Sequence, residues 1–117
     1  MRIGTLAHAA GVTTKTVRFY EQAGLLPEPP RTPSGYRDYP AEFADRLVFI
    51  RGAQAAGLSL AEIRDVLAVG DSGQPPNGPA AELIATRLRA IETRLAELIH
   101  TRDALRALAR GGADALR

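Results

Sequence analysis

The chain has 117 residues with 15 basic and 13 acidic side chains, a formal charge of +2, so global electrostatics neither requires nor excludes a polyanionic partner. It contains no Cys and one Met, which excludes disulfides, thiolate nucleophiles, iron–sulfur clusters and thiolate metal sites. At one small domain's length, with no nucleophile–base motif, carboxylate dyad or phosphate-cradling glycine loop, it is not expected to be an enzyme or to hold a cofactor.

Eight prolines in two clusters, Pro27 to Pro40 and Pro75 to Pro79, divide the chain into three blocks. In the first block, Ile3, Leu6, Ala7 and Ala10 recur at helical spacing, and Gly11 suits a helix C-terminus. Thr13 is a good N-cap for a second helix from Thr14 to Ala23, stopped by Gly24. Two short helices around Gly11-Val12-Thr13 have helix-turn-helix spacing. From Leu25 to Tyr39 the proline-rich stretch, with a turn at Ser34-Gly35, predicts a small β-hairpin or wing.

Pro40 suits the first position of a third helix, whose stripe is Phe43, Leu47 and Ile50 and which Gly57 ends. Ser59-Leu60-Ala61-Glu62 is a capping box opening a fourth helix with Leu60, Ile63, Val66 and Leu67 on its buried face. A head at residues 1–70, a linker at 71–79, a long helix at 80–110 and a tail at 111–117 follow from this punctuation. The helix of ~31 residues would reach ~46 Å at 1.5 Å per residue. Along it, Ile84, Leu88, Ile91, Leu95, Leu98 and Leu105 form a heptad seam, with Arg102 in the slot between the last two. Such a stripe predicts a partner helix.

Fourteen of the 15 basic residues are Arg, and Ala occurs 21 times. Arg abundance therefore reflects composition, and position must carry any case for nucleic acid. The stretch TTKTVRFYEQAGLLPEPPRTPSGYRDYP followed by AAGLSLAEI resembles the MerR family of bacterial transcription regulators, in order across residues 1 to about 70, and the long helix is similar to that family's dimerisation helix. The resemblance implies a mainly α fold: a winged helix-turn-helix followed by a helix that dimerises as an antiparallel coiled coil. It further implies a homodimer that bends and untwists double-stranded promoter DNA to realign promoter elements for RNA polymerase.

Thr14, Lys15, Arg18 and Gln22 lie on one polar face of the second helix, as a recognition helix requires: short residues near base edges, longer donors for guanine and phosphate. Arg18 offers a bidentate fork and Lys15 a compact charge. Phe19 and Tyr20 are adjacent and cannot both face the core, so either Tyr20 packs and Phe19 is displayed beside Lys15, or the reverse. The resemblance implies a DNA-backbone contact through the Tyr20 hydroxyl. Arg31, Tyr36 and Arg37 are the expected wing donors, and the helix start at Ser59 offers a further phosphate anchor, to which Arg51 would add.

The resemblance is nearest to the heavy-metal-responsive branch, but its cysteines are missing: Asn77 stands where the linker meets the long helix, and no ligand-rich loop follows Gly111-Gly112. Soft ions need thiolate, so metal sensing is not carried across. His8 and His100 have no i,i+4 histidine partner and no carboxylate cluster, so no metal site is expected and the effector is left open. No apolar run nears the roughly 20 residues of a membrane span and no charged-then-apolar leader opens the chain, which predicts a cytoplasmic protein with no membrane partner. The alternatives are a coiled-coil interaction protein, or a constitutive DNA binder without an effector.

Overall fold

The computed structural model describes residues 1–112 and 116. Five helices follow one another: α1 (Ile3–Ala10), α2 (Thr14–Gln22), α3 (Glu42–Ala55), α4 (Leu60–Ser72) and α5 (Gly78–Ala109). They fall into two compact units, Met1–Pro76 and Asn77–Arg117. The mainly helical architecture matches the expectation, and no strand longer than an isolated bridge is present among the described residues. No described helix is long and apolar enough to cross a membrane.

In the first unit α1 packs on α2 and α3, and α3 packs on α4. The side chains of Leu6, Val17, Leu25, Tyr39, Leu47, Ile50 and Ile63 are fully buried between them. Each buried aliphatic side chain contributes roughly 1.5–3 kcal/mol relative to exposure. Ala7, Ala10 and Ala53 join the same cluster, and their small size lets the helix backbones approach closely. Gly11 ends α1 at φ 69°, a left-handed conformation open to glycine, and its N–H bonds the carbonyl of His8.

Between α2 and α3 the chain makes a hairpin with one antiparallel bridge, Arg31 to Arg37, in place of a strand pair. Thr32 N–H donates to the Tyr36 carbonyl at 2.7 Å and Asp38 N–H to the Pro30 carbonyl at 2.8 Å. Pro29, Pro30, Pro33 and Pro40 have no N–H to extend the ladder, which limits it to this rung. Gly35 turns the tip at φ 89°. Leu25, Leu26 and Tyr39 are buried and root both ends of the hairpin in the core.

Three boundaries, in the third, fourth and fifth helices, differ from those predicted. Helix α3 begins at Glu42 rather than Pro40, because the carbonyls of Pro40 and Ala41 are taken by the N–H groups of Phe43 and Ala44 in a tight three-residue turn. Helix α4 continues through Gly70 and Asp71 to Ser72 before Gly73 stops it at φ 68°. Because Asn77 already forms the extended N-cap of α5 and Pro79 is tolerated in its first turn, the non-helical connection spans 73–77 instead of 71–79. Of the expected tail at 111–117, residues 113–115 and 117 lie outside the described residues.

Candidate nucleic-acid interface

Helix α2 is capped by Thr13, whose side chain accepts from Thr16 N–H at 3.1 Å. Val17 and Tyr20 then face the core, which leaves Lys15, Arg18, Phe19 and Gln22 exposed at spacings of three and four along one side. Thr14 is half-buried beside them. The Phe19–Tyr20 alternative is thereby answered: Tyr20 is 6% exposed and Phe19 50%. Among the described residues neither Lys15 nor Arg18 has a hydrogen bond or ion pair, so both charges remain available to a ligand.

The back of this helix is braced. Arg46 of α3 donates through Nε to the Leu25 carbonyl at 2.7 Å, while its two terminal nitrogens grip the Asp71 carboxylate of α4 at 2.8 and 3.1 Å. Arg64 of α4 donates to the Ala23 carbonyl. Arg51 of α3 donates to the Ala10 carbonyl at 3.3 Å, at the C-terminal end of α1, where a cation also meets the negative end of the helix dipole. Three guanidiniums thus fix the ends of the helices, Arg51 and Arg64 while remaining exposed. Arg51 has one of its N–H groups engaged at the end of α1.

Two of the expected DNA-binding side chains are likewise committed inside the protein. The Tyr20 hydroxyl donates to Gln54 Oε1, so a phosphate could receive its proton only in place of Gln54. Arg37 is bound to the Glu21 carboxylate, which sits on α2 and is nearly buried, and Glu21 Oε1 also accepts from the Tyr39 hydroxyl at 3.0 Å. Glu28 approaches Arg37 at 3.7 Å. The Tyr39 hydroxyl and the Glu21 carboxylate both push the Arg37 pKa up, which keeps it a cation whose charge is already balanced. Arg37 therefore acts as a strut between wing and α2. Sequence reasoning missed Glu21, because partners 16 and 18 positions apart leave no local pattern.

At the wing tip, Arg31 Nη1 donates to the Gly35 carbonyl at 2.9 Å and Tyr36 is 54% exposed. Arg2, another residue not anticipated, lays its guanidinium over the Tyr36 ring, 4.2 Å from the centroid. A depression of about 290 Å³ lies between Arg2, Ile3, Arg31, Gly35, Tyr36, Arg37 and Tyr39. Around Arg18, Gln22, Arg37 and Tyr39 there is a second, of about 400 Å³. At the start of α4, Ser59 Oγ accepts from Glu62 N–H at 3.1 Å and Ser59 N–H donates to Glu62 Oε1 at 2.9 Å, the expected capping box. The Glu62 carboxylate already occupies that helix start, so an incoming phosphate there would meet a like charge.

The second unit is dominated by α5, whose 32 residues span about 48 Å at 1.5 Å per residue. Leu88, Ile91, Leu95, Leu98 and Leu105 are exposed, from 42% at Ile91 to 60% at Leu105, while Ile84 is half-buried. Ile99, one position off the seam, widens the stripe. Arg102 pairs with its neighbour Asp103 at 3.0 Å. Among the described residues no three His, Asp or Glu side chains converge in a way that would hold a metal ion.

A family model described as "MerR HTH family regulatory protein" matches residues 1–69, and one described as "MerR, DNA binding" matches residues 44–108. The HTH-type transcriptional regulator ZntR homolog of Haemophilus influenzae is 36% identical over 102 residues, 87% of this chain and 76% of that protein. Among solved structures, a transcription regulator of Ralstonia metallidurans in complex with lead(II) aligns at a TM-score of 0.66 and 37% identity, covering 94% of this chain and 85% of the other. A MerR family regulator lacking the sensor domain, solved bound to promoter DNA, aligns at 0.69 over 97% of both chains; at 24% identity that likeness is one of fold. With the first family model spanning more than half of the sequence, and the second continuing along α5, the chain belongs to the MerR family of DNA-binding transcription regulators.

Proposed function

We propose that two copies of this chain join along α5 as an antiparallel coiled coil and present their α2 helices to the major groove of one promoter duplex. The observation that carries the reading is the α2 face itself: Lys15 and Arg18 stand exposed and without a partner among the described residues, on a helix braced from behind by Arg46 and Arg64. Arg18 is assigned to a guanine edge, Thr14 and Phe19 to base contacts beside it, and Lys15 to phosphate or guanine. Arg31 and Tyr36 are assigned to the phosphate backbone, where they position the protein without reading sequence. Tyr20, Arg37 and Ser59 serve this surface by holding its elements in place.

Bending and untwisting of the duplex, and realignment of promoter elements for RNA polymerase, are what membership of the family implies for such a two-headed grip. The exposed seam of α5 supports the two-copy arrangement, since a contiguous apolar stripe of this length is stabilised by a matching helix. Effector chemistry through thiolate has no residue to act through, because the sequence has no Cys and Asn77 stands at the start of α5. A gel-shift with promoter DNA against unrelated competitor tests the proposal. Selective binding that survives moderate salt is the expected outcome; equal binding to both DNAs, lost at moderate salt, would leave only phosphate attraction.

A further inference from the structure

The first unit carries seven arginines, and their partners sort them. Arg37 is balanced by Glu21 and Glu28. Arg46 is paired with Asp71, while Arg51 and Arg64 hold the carbonyls of Ala10 and Ala23. Five therefore have no carboxylate among the described residues; of these Arg51, Arg64 and Arg31 at the wing tip each donate to a carbonyl, whereas Arg18 on α2 and Arg2 just before α1 donate to no group of the protein. The acids near the wing are spent elsewhere, Asp38 on the Met1 ammonium at 2.6 Å and Glu21 and Glu28 on Arg37. The depression bounded by Arg2, Arg31 and Tyr36 therefore holds two uncompensated guanidiniums within a frame of fixed backbone.

We infer that Arg2, outside both the recognition helix and the wing, is a phosphate ligand of the DNA-binding surface, presented by Tyr36 and acting together with Arg31 on a backbone phosphodiester. The cation–π contact takes up the face of the Arg2 guanidinium and leaves its in-plane N–H edge for an anion. Arg31 spends one nitrogen on the Gly35 carbonyl, which fixes its position and leaves further N–H groups. The Tyr36 ring thus has a presenting role distinct from any contact of its hydroxyl. This inference rests on the DNA-binding reading above, and the experiment separates the two.

The full chain first selects a duplex from a random-sequence pool. Affinity for that duplex and for an unrelated one is then measured across a range of salt for wild type, Arg2→Ala, Arg2→Lys, Tyr36→Ala, Tyr36→Phe and the double variant Arg2→Ala/Tyr36→Ala, with thermal melts confirming the fold of each. Arg2→Ala is expected to weaken binding to both duplexes alike, by about fivefold, and to reduce the slope of log affinity against log salt by about 0.9 per protomer. Arg2→Lys keeps the slope, and Tyr36→Phe keeps the Arg2 contribution. In the Tyr36→Ala background, Arg2→Ala has an effect of less than about twofold, because the ring no longer presents the charge. An unchanged salt slope for Arg2→Ala, or an equal Arg2 effect with and without the Tyr36 ring, overturns the inference while leaving Arg18-dependent selectivity intact. Failure of the wild type to select any sequence overturns the functional reading instead.

Discussion

Arg18 and Lys15 differ from the other cations of the first unit in making no hydrogen bond, ion pair or ring contact with any group of the protein among the described residues, and that difference supports the outward roles proposed for them. Arg18→Ala should cost roughly 1–3 kcal/mol of binding to a selected duplex and narrow its margin over unrelated DNA, as measured by competition titration. Lys15→Ala should weaken both duplexes; equal losses identify a phosphate contact, unequal losses a base. Glu21→Gln should loosen the wing, so trypsin cuts at Arg31 and Arg37 faster and affinity falls without a change in preferred sequence. The outward pair was legible in the sequence because helical spacing alone puts Lys15 and Arg18 on one face. Tyr20 and Arg37 were not, since whether a hydroxyl or a guanidinium is spent internally depends on Gln54 and Glu21, brought near only by the fold.

At the scale of elements, the helix ends were the most legible feature. Thr13, Ser59 with Glu62, and Gly11 each carry their boundary in their own chemistry, and the caps they form are the ones expected. Ser59→Ala should lower unfolding stability by about 1 kcal/mol in denaturant titration, the usual worth of an N-cap. The extra turn of α4 was hidden because Gly70 reads as a stop in sequence, whereas Arg46 reaches across from α3 to hold Asp71 in the helix. That contact makes a pH prediction. The Arg46 hydrogen bond and charge hold the Asp71 carboxyl below its ordinary value of 3.8, so the pair stabilises the folded state above that value and its contribution is lost as pH falls further. The melting-temperature difference between wild type and Asp71→Asn should therefore be present at neutral pH and shrink below about pH 4. The wing shows the opposite limit of legibility: its prolines announced a turn-rich segment, but only the lost N–H groups, counted rung by rung, reduce a hairpin to one bridge.

For the whole molecule, the proposed function rests on two heads working as one. Each head alone has a short recognition surface, and linking two raises the local concentration of the second at its half-site. Ile91→Asp puts a charge in the middle of the α5 seam, where a partner helix would have to desolvate it. Sedimentation should then give the 12.5 kDa mass of a single chain, where the wild type is expected to give twice that. The seam was legible from its heptad spacing, which needs no tertiary information, yet a periodicity does not name the occupant of the facing stripe. Hydroxyl-radical footprinting on a selected duplex addresses that point directly. A two-copy grip predicts two protected tracts on one face of the DNA, their centres a whole number of helical turns of about 10–10.5 base pairs apart, both lost with Ile91→Asp at the same protein concentration. A single protected tract from the wild type, or an unchanged pair of tracts from Ile91→Asp, would contradict it.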